Sequence, residues 1–203
     1  MSSNLLIVGA GGHAKVVCDL AKKYYKNIVF ADDNQVGKVL GCEIIGNIEK
    51  VKSGEKCDFI VAVGNNQVRE KLFNEFIELG FTPISLVHPS ATIGEDVQIG
   101  VGSVVFAGAV INACAKIGVG SIINTMASVD HDCEIGEFNH LAPSCHFAGT
   151  VKTGKACFFG IGSSVVNNIS VCDQVVVGAG ATVIVDLETS GTYIGVPARK
   201  IKA

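Results

Sequence analysis

Apolar residues recur at every sixth position through the C-terminal half of the chain: Val87, Ile93, Ile99, Val105, Ile111, Ile117, Ile123, Val129, Ile135, Leu141, Phe147, Thr153, Phe159, Val165, Val171, Val177 and Val183. Only Thr153 in this series is not strictly apolar. Four residues after many of these positions stands a small or thin side chain, among them Ser103, Ala109, Ala115, Ser121, Ala127, Cys133, Cys145, Cys157, Ser163 and Ala181. A period of six fits neither an α-helix at 3.6 residues per turn nor a heptad. It fits a parallel β-helix in which each hexad forms one flat side of a triangular prism. The large residue points inward and the small one fills the corner. Three hexads close one coil, and stacking at a strand spacing of ~4.8 Å gives about five coils between 87 and 183, a prism roughly 25 Å tall. Each inward Ile or Val contributes on the order of 1.5–3 kcal/mol by burial.

The first third has a different pattern. "LLIVGAGGHAKVVCDLAKK" reads as a buried strand, a Gly-rich turn and an amphipathic helix. "IVF" is a second strand, "EIIG" and "DFIVAVG" are further ones, and "QVREKLFNEFIELG" is a helix leading to "TPISLVH". These elements predict a small open α/β sheet over residues 1–85, followed with little linker by the prism over 86–203. The turn Gly9-Ala10-Gly11-Gly12-His13-Ala14 satisfies G-x-G-x-x-A, and Asp32 follows the second strand. Glycines at a helix N-terminus let a phosphate approach backbone N–H groups, which points to a nucleotide-type ligand. The alternative is a tight turn in a purely structural βαβ unit. The unit is too short for a two-lobed dinucleotide domain and suits one nucleotide.

Composition changes this picture little. The chain has 24 glycines, only four prolines and no tryptophan, which suits many tight turns better than disorder. A net charge of -3, with basic residues scattered apart from the tail "ARKIKA", offers no footprint for nucleic acid. No apolar run is long enough to span a membrane. The start, "MSSNLLIVGAGG", lacks a basic leader and reads as a strand, so the expected compartment is cytoplasmic. Eight cysteines without a C-x-x-C pair are expected to be structural thiols, those in the small slots acting as small hydrophobes.

The repeat leaves "SVDHDCEIGEFNH", residues 128–140, unexplained. His131 lies two positions past inward Val129 and should face outward. One coil either side stand Ala113 and Gly149, which should leave space beside the imidazole for a substrate. Asp132 and Glu134 can orient the ring and raise its basicity. His140 is expected near a corner, with His146 at the equivalent one. Three readings compete: solvated surface histidines, a zinc site of His131, His140 and His146 shared across a trimer as in γ-class carbonic anhydrases, and general-base catalysis by His131.

The "IG" hexads and the closing "GVPARKI" resemble the left-handed β-helix acyltransferases; the left hand comes from that resemblance alone. The order "GAGGH", "ADD", "VAVGNNQVR", "SVDHDCEIGEFNH", "FFGIGSSV", "GAGAT", "GVPAR" resembles, over essentially the whole chain, the nucleotide-sugar N-acetyltransferases of the bacillosamine type. The resemblance implies a Rossmann-like N-terminal unit and acetyl-CoA-dependent transfer to the 4-amino group of a nucleotide-linked 4-amino-4,6-dideoxy sugar, with no metal. It implies His131 as base and Asp132, where the family has Glu, as its acidic partner. It places Gly11, Gly12, His13, Asp32, Asp33, Gly64 and Gln67 at the sugar nucleotide. It places His140, Ile161 and Ala179 at acetyl-CoA, in sites between the subunits of a homotrimer. A sialic-acid-type O-acetyltransferase and a non-catalytic nucleotide-binding scaffold are the alternatives.

Overall fold

A six-residue period becomes a three-sided coil because each hexad folds as a two-residue strand, a linking residue, a two-residue turn and a second linking residue. Ser128–Val129 is one such strand, His131 and Asp132 make the turn, and Cys133 links to the strand Glu134–Ile135. We describe residues 4–201 of a computed structural model. The first residues of "MSSNLLIV" and the last two of the basic tail lie outside the described residues.

The turn's second residue takes a left-handed backbone conformation. On one corner the column is Asp96, Cys114, Asp132, Thr150 and Asn168, with φ between 55 and 62°. Asp and Asn tolerate that region better than most side chains, and Cys114 and Thr150 are held in it by the stack. Successive coils pair in parallel at a strict register, so that residue 129 meets 111 and 147, and residue 135 meets 117 and 153.

Among the described residues, three parallel ladders make the faces of this C-terminal unit. The first face carries Val104–Val105, Ile122–Ile123, His140–Leu141 and Phe158–Phe159. The second carries Thr92–Ile93, Val110–Ile111, Ser128–Val129, His146–Phe147 and Ser164–Val165. The third carries Gln98–Ile99, Lys116–Ile117, Glu134–Ile135, Lys152–Thr153 and Ser170–Val171. The inward residues Val105, Ile111, Ile123, Val129, Leu141 and Phe159 are fully buried, and Cys133, Cys145 and Cys157 fill small slots at 0% exposure. Ile93, in a strand at the end of its ladder, is 38% exposed and departs from the inward pattern. The polar exception Thr153 is satisfied: its hydroxyl oxygen accepts from buried Asn139 Nδ2 at 2.7 Å and from the Gly136 N–H at 3.1 Å. An antiparallel pair, Gly191–Ile194 with Arg199–Lys200, closes the unit around "GVPAR".

The chain divides between Leu86 and Val87. In the first unit β1 (Asn4–Val8), α1 (Gly12–Ala21), β2 (Asn27–Ala31), β3 (Lys38–Val39), β4 (Cys42–Gly46), α2 (Ile48–Lys52), β5 (Asp58–Val61), α3 (Asn66–Glu78) and β6 (Thr82–Pro83) follow in order. The sheet runs β3-β4-β2-β1-β5-β6, with β2 and β5 both parallel to β1. From β1 the chain leaves towards β2, whereas from β5 it leaves towards β6, so the β1/β5 boundary is a topological switch point. Ligands of open α/β sheets bind at the strand carboxyl ends there. "EIIG" forms the strand β4, whereas the two-residue β3 that pairs with it and the short α2 carry too few apolar positions to show in the sequence pattern. "TPISLVH", read as one strand, is two short ones, Thr82–Pro83 and Leu86–Val87.

Candidate active site

His131 sits at the corner joining the second and third faces. Its side chain is 58% exposed and its Nδ1 is 2.8 Å from Asp132 Oδ2. The left-handed turn at Asp132 (φ 57°) is what folds this short carboxylate back onto the preceding ring. The corner is fixed from both neighbouring coils. Asp130 Oδ1 accepts from the His131 N–H at 2.8 Å and from Asn112 Nδ2 at 2.7 Å, and the His131 carbonyl accepts from the Thr150 N–H at 2.9 Å. The hydrogen bond to Asp132 first, and the charge of Asp130 second, push the His131 pKa above its usual value. Asp130 and Asn112 were absent from the sequence reading, although coil arithmetic (112 plus 18) stacks them.

Two expectations about this corner need correction. Gly149 does not leave a gap beside the imidazole; the ring itself occupies it. A Cβ built on Gly149 would lie 2.6 Å from both Cε1 and Nε2 of His131. Glu134 faces away along the third face, where its carboxylate pairs with Lys152 at 3.3 Å, and Asp132 alone of the two meets the ring.

His140 is not near a corner. It opens a strand of the first face, stacked between Ile122 and Phe158, and is 9% exposed. Its ring meets Phe158 edge-on at 5.1 Å and its Nε2 lies 3.2 Å from Asn124 Nδ2. Burial rather than turn geometry therefore defines this histidine, and its neighbour Asn124 was not foreseen. His146 is likewise on a strand, with Nδ1 2.9 Å from Ser128 Oγ. The three histidines of the zinc reading thus lie at one corner and on two different faces, and the chain does not gather them. Ile161 and Ala179 stack at the corner joining the first and second faces, linked by Gly180 N–H to Ile161 C=O at 2.8 Å, and Ile161 is 58% exposed. His140, Ile161 and Ala179 therefore follow one side of the prism, while His131 occupies the corner opposite the first face.

In the N-terminal unit the turns after β1 and β5 emerge side by side. Gly9, at φ 101° and with Ala62 O only 3.1 Å from a built Cβ, is a glycine required by conformation and packing. Gly11, Gly12 and Gly64 are different. None has a positive φ, and a Cβ on any of them would meet nothing within 4 Å. Neither the backbone nor protein packing needs glycine there, so the three keep space open at the strand ends. Asp32 accepts from the Ala10 N–H at 2.7 Å through Oδ2 and from Asn34 and Gln35 N–H groups through Oδ1. Asp33 accepts from the Ile48 N–H at 2.9 Å, at the start of α2. Both predicted acids thus hold loops through backbone N–H groups. Gln67 is exposed in the first turn of α3. Burial, reinforced by the charge of Arg69, holds the His13 pKa down at about 4.

No helix among the described residues is long and apolar enough to cross a membrane. Residues 4–76 match the PglD N-terminal domain family. The acetyltransferase domain of PglB from Neisseria gonorrhoeae FA1090, also solved in complex with acetyl coenzyme A, is 38% identical, with a TM-score of 0.96 over 98% of this chain and 100% of that one. PerB from Caulobacter crescentus, solved with CoA and GDP-perosamine, is 37% identical, with a TM-score of 0.90 over 98% and 97% of the two chains. The GDP-perosamine N-acetyltransferase of Escherichia coli O157:H7 is 26% identical over 183 residues, 86% of this chain and 82% of that protein.

Proposed function

Because the chain belongs to the nucleotide-sugar N-acetyltransferases built from a Rossmann-like unit and a left-handed β-helix, we propose that it transfers the acetyl group of acetyl-CoA to the 4-amino group of a nucleotide-linked 4-amino-4,6-dideoxy sugar, with His131 as the general base. The observation that carries this reading is the exposed His131–Asp132 pair at 2.8 Å on a corner braced by Asp130 and Asn112. With Nδ1–H donated to Asp132, the lone pair resides on Nε2. As the neutral sugar amine adds to the thioester carbonyl carbon, Nε2 accepts its proton and Asp132 stabilises the imidazolium. The tetrahedral intermediate then expels the CoA thiolate. His140 or a backbone N–H steadies the oxyanion. The open space at Gly11, Gly12 and Gly64 receives the sugar nucleotide, with His13, Asp32, Asp33 and Gln67 around it.

The distribution of these residues supports a shared site. His131 lies at the corner opposite the face that carries His140, so one chain cannot bring both to one thioester. A homotrimer whose grooves join the His131 corner of one copy to the His140, Ile161 and Ala179 side of the next satisfies the chemistry. We place the reaction in the cytoplasm, where the eight thiols stay reduced. The test is His131→Ala, which should lower kcat by roughly 10²–10⁴ and leave acetyl-CoA binding intact. Activity within a few-fold of wild type in a folded variant would refute the assignment. Light scattering should give a trimer, and a stable monomer with full activity would remove the shared site.

A further inference from the structure

The N-terminal unit buries a cation that the reaction above does not use. Arg69, in the first turn of α3, is 1% exposed. Burial pulls its pKa down to about 9, still well above neutrality, so the guanidinium stays charged. Its fork reaches back over the turn that follows β5. Nη1 donates to Val63 O at 3.0 Å and to Gly64 O at 3.3 Å, and Nη2 donates to Asn66 Oδ1 at 2.8 Å. Asn65 caps the same helix end by accepting from the Val68 N–H at 3.0 Å. The turn is therefore held with two carbonyl oxygens directed onto the guanidinium.

That arrangement bears on the crevice at the strand ends. An outward carbonyl there would repel a phosphate, whereas a carbonyl bound to a buried guanidinium cannot face it. The planar fork matters, because a lysine's single ammonium could not span both carbonyls and the Asn66 amide oxygen. Across the crevice, His13 begins the second residue of α1, close enough for the Arg69 charge to act on its ring. On the β2 side, Asp32 turns its carboxylate to the Ala10, Asn34 and Gln35 N–H groups.

We propose that Arg69 is a positioning residue for the diphosphate of the sugar nucleotide: it withdraws the Val63 and Gly64 carbonyls from the crevice wall and sets a fixed positive charge behind that wall. This rests on the crevice being the sugar-nucleotide site.

Calorimetric titration of the full chain with UDP, GDP and dTDP tests the proposal. Arg69→Lys keeps a charge but loses the fork, and should weaken diphosphate binding by about tenfold, a change of roughly 1.4 kcal/mol. The KM for acetyl-CoA should stay unchanged. Arg69→Met should weaken binding further and let His13 titrate closer to its ordinary pKa by NMR. A wild-type chain that binds none of the three diphosphates overturns the crevice reading and this proposal with it. Wild-type binding that Arg69→Lys leaves unaltered, or equal losses for diphosphate and acetyl-CoA, overturns the proposal alone.

Discussion

Gly149→Ala places a single methyl group under the imidazole of His131. Gly149 has no positive φ, so its backbone accepts alanine, but the new Cβ would lie 2.6 Å from Cε1 and Nε2 and 3.2 Å from Nδ1. Carbon and nitrogen atoms in ordinary contact stand about 3.5 Å or more apart, so the ring must move by about 1 Å. It is the far end of a side chain that is 58% exposed, and it can swing away at little cost to folding. Replacing glycine where the backbone is compatible also stabilises by about 0.4–1 kcal/mol through the unfolded chain. The melting temperature should therefore hold or rise. Catalysis should not. A displacement of about 1 Å breaks the alignment with Asp132, covers Nε2, and should cost roughly 10²-fold in kcat. The assay is steady-state release of free CoA thiol with acetyl-CoA and a 4-amino sugar nucleotide, together with a melting curve. The KM of each substrate should stay within about threefold, because neither binding surface is touched. If Gly149→Ala retains kcat within about threefold while His131→Ala loses roughly 10² or more, the ring seat is irrelevant and the reasoning fails.

Two further expectations follow from the same geometry. Asp132→Asn removes the larger of the two influences that raise the His131 pKa. A protonated His131 cannot accept a proton, so the acid limb of kcat/KM should move to lower pH while the plateau falls. NMR titration of His131 separates this from titration of the substrate amine, and an unmoved His131 pKa would show that Asp132 does not polarise the ring. Gly11→Val fills space where a Cβ meets no protein atom within 4 Å, so the variant should fold. Its KM for the sugar nucleotide should rise steeply with little change for acetyl-CoA, and equal effects on both would refute the division of substrates between the two units.

What this sequence determined by itself is whatever repeats or is local. A side chain every six residues must face the same way on every hexad, so the inward column from Val105 to Val183 and the thiol slots at Cys133, Cys145 and Cys157 were readable from spacing alone. The β1–turn–α1 unit was readable because its apolar alternation and glycines are contiguous. The tertiary structure decided which outward residues become neighbours. Whether position 140 is corner or strand, whether Gly149 is a gap or a seat, and whether Asp132 or Glu134 meets the imidazole depend on how coils stack and where each left-handed turn aims its side chain. None of these leaves an apolar signature, because they are outward positions that the six-residue core pattern does not constrain. Arg69 shows the same limit from inside: a charged residue at the start of an amphipathic helix reads as solvated, and only the folded turn at Val63 and Gly64 supplies the carbonyl acceptors that let it be buried.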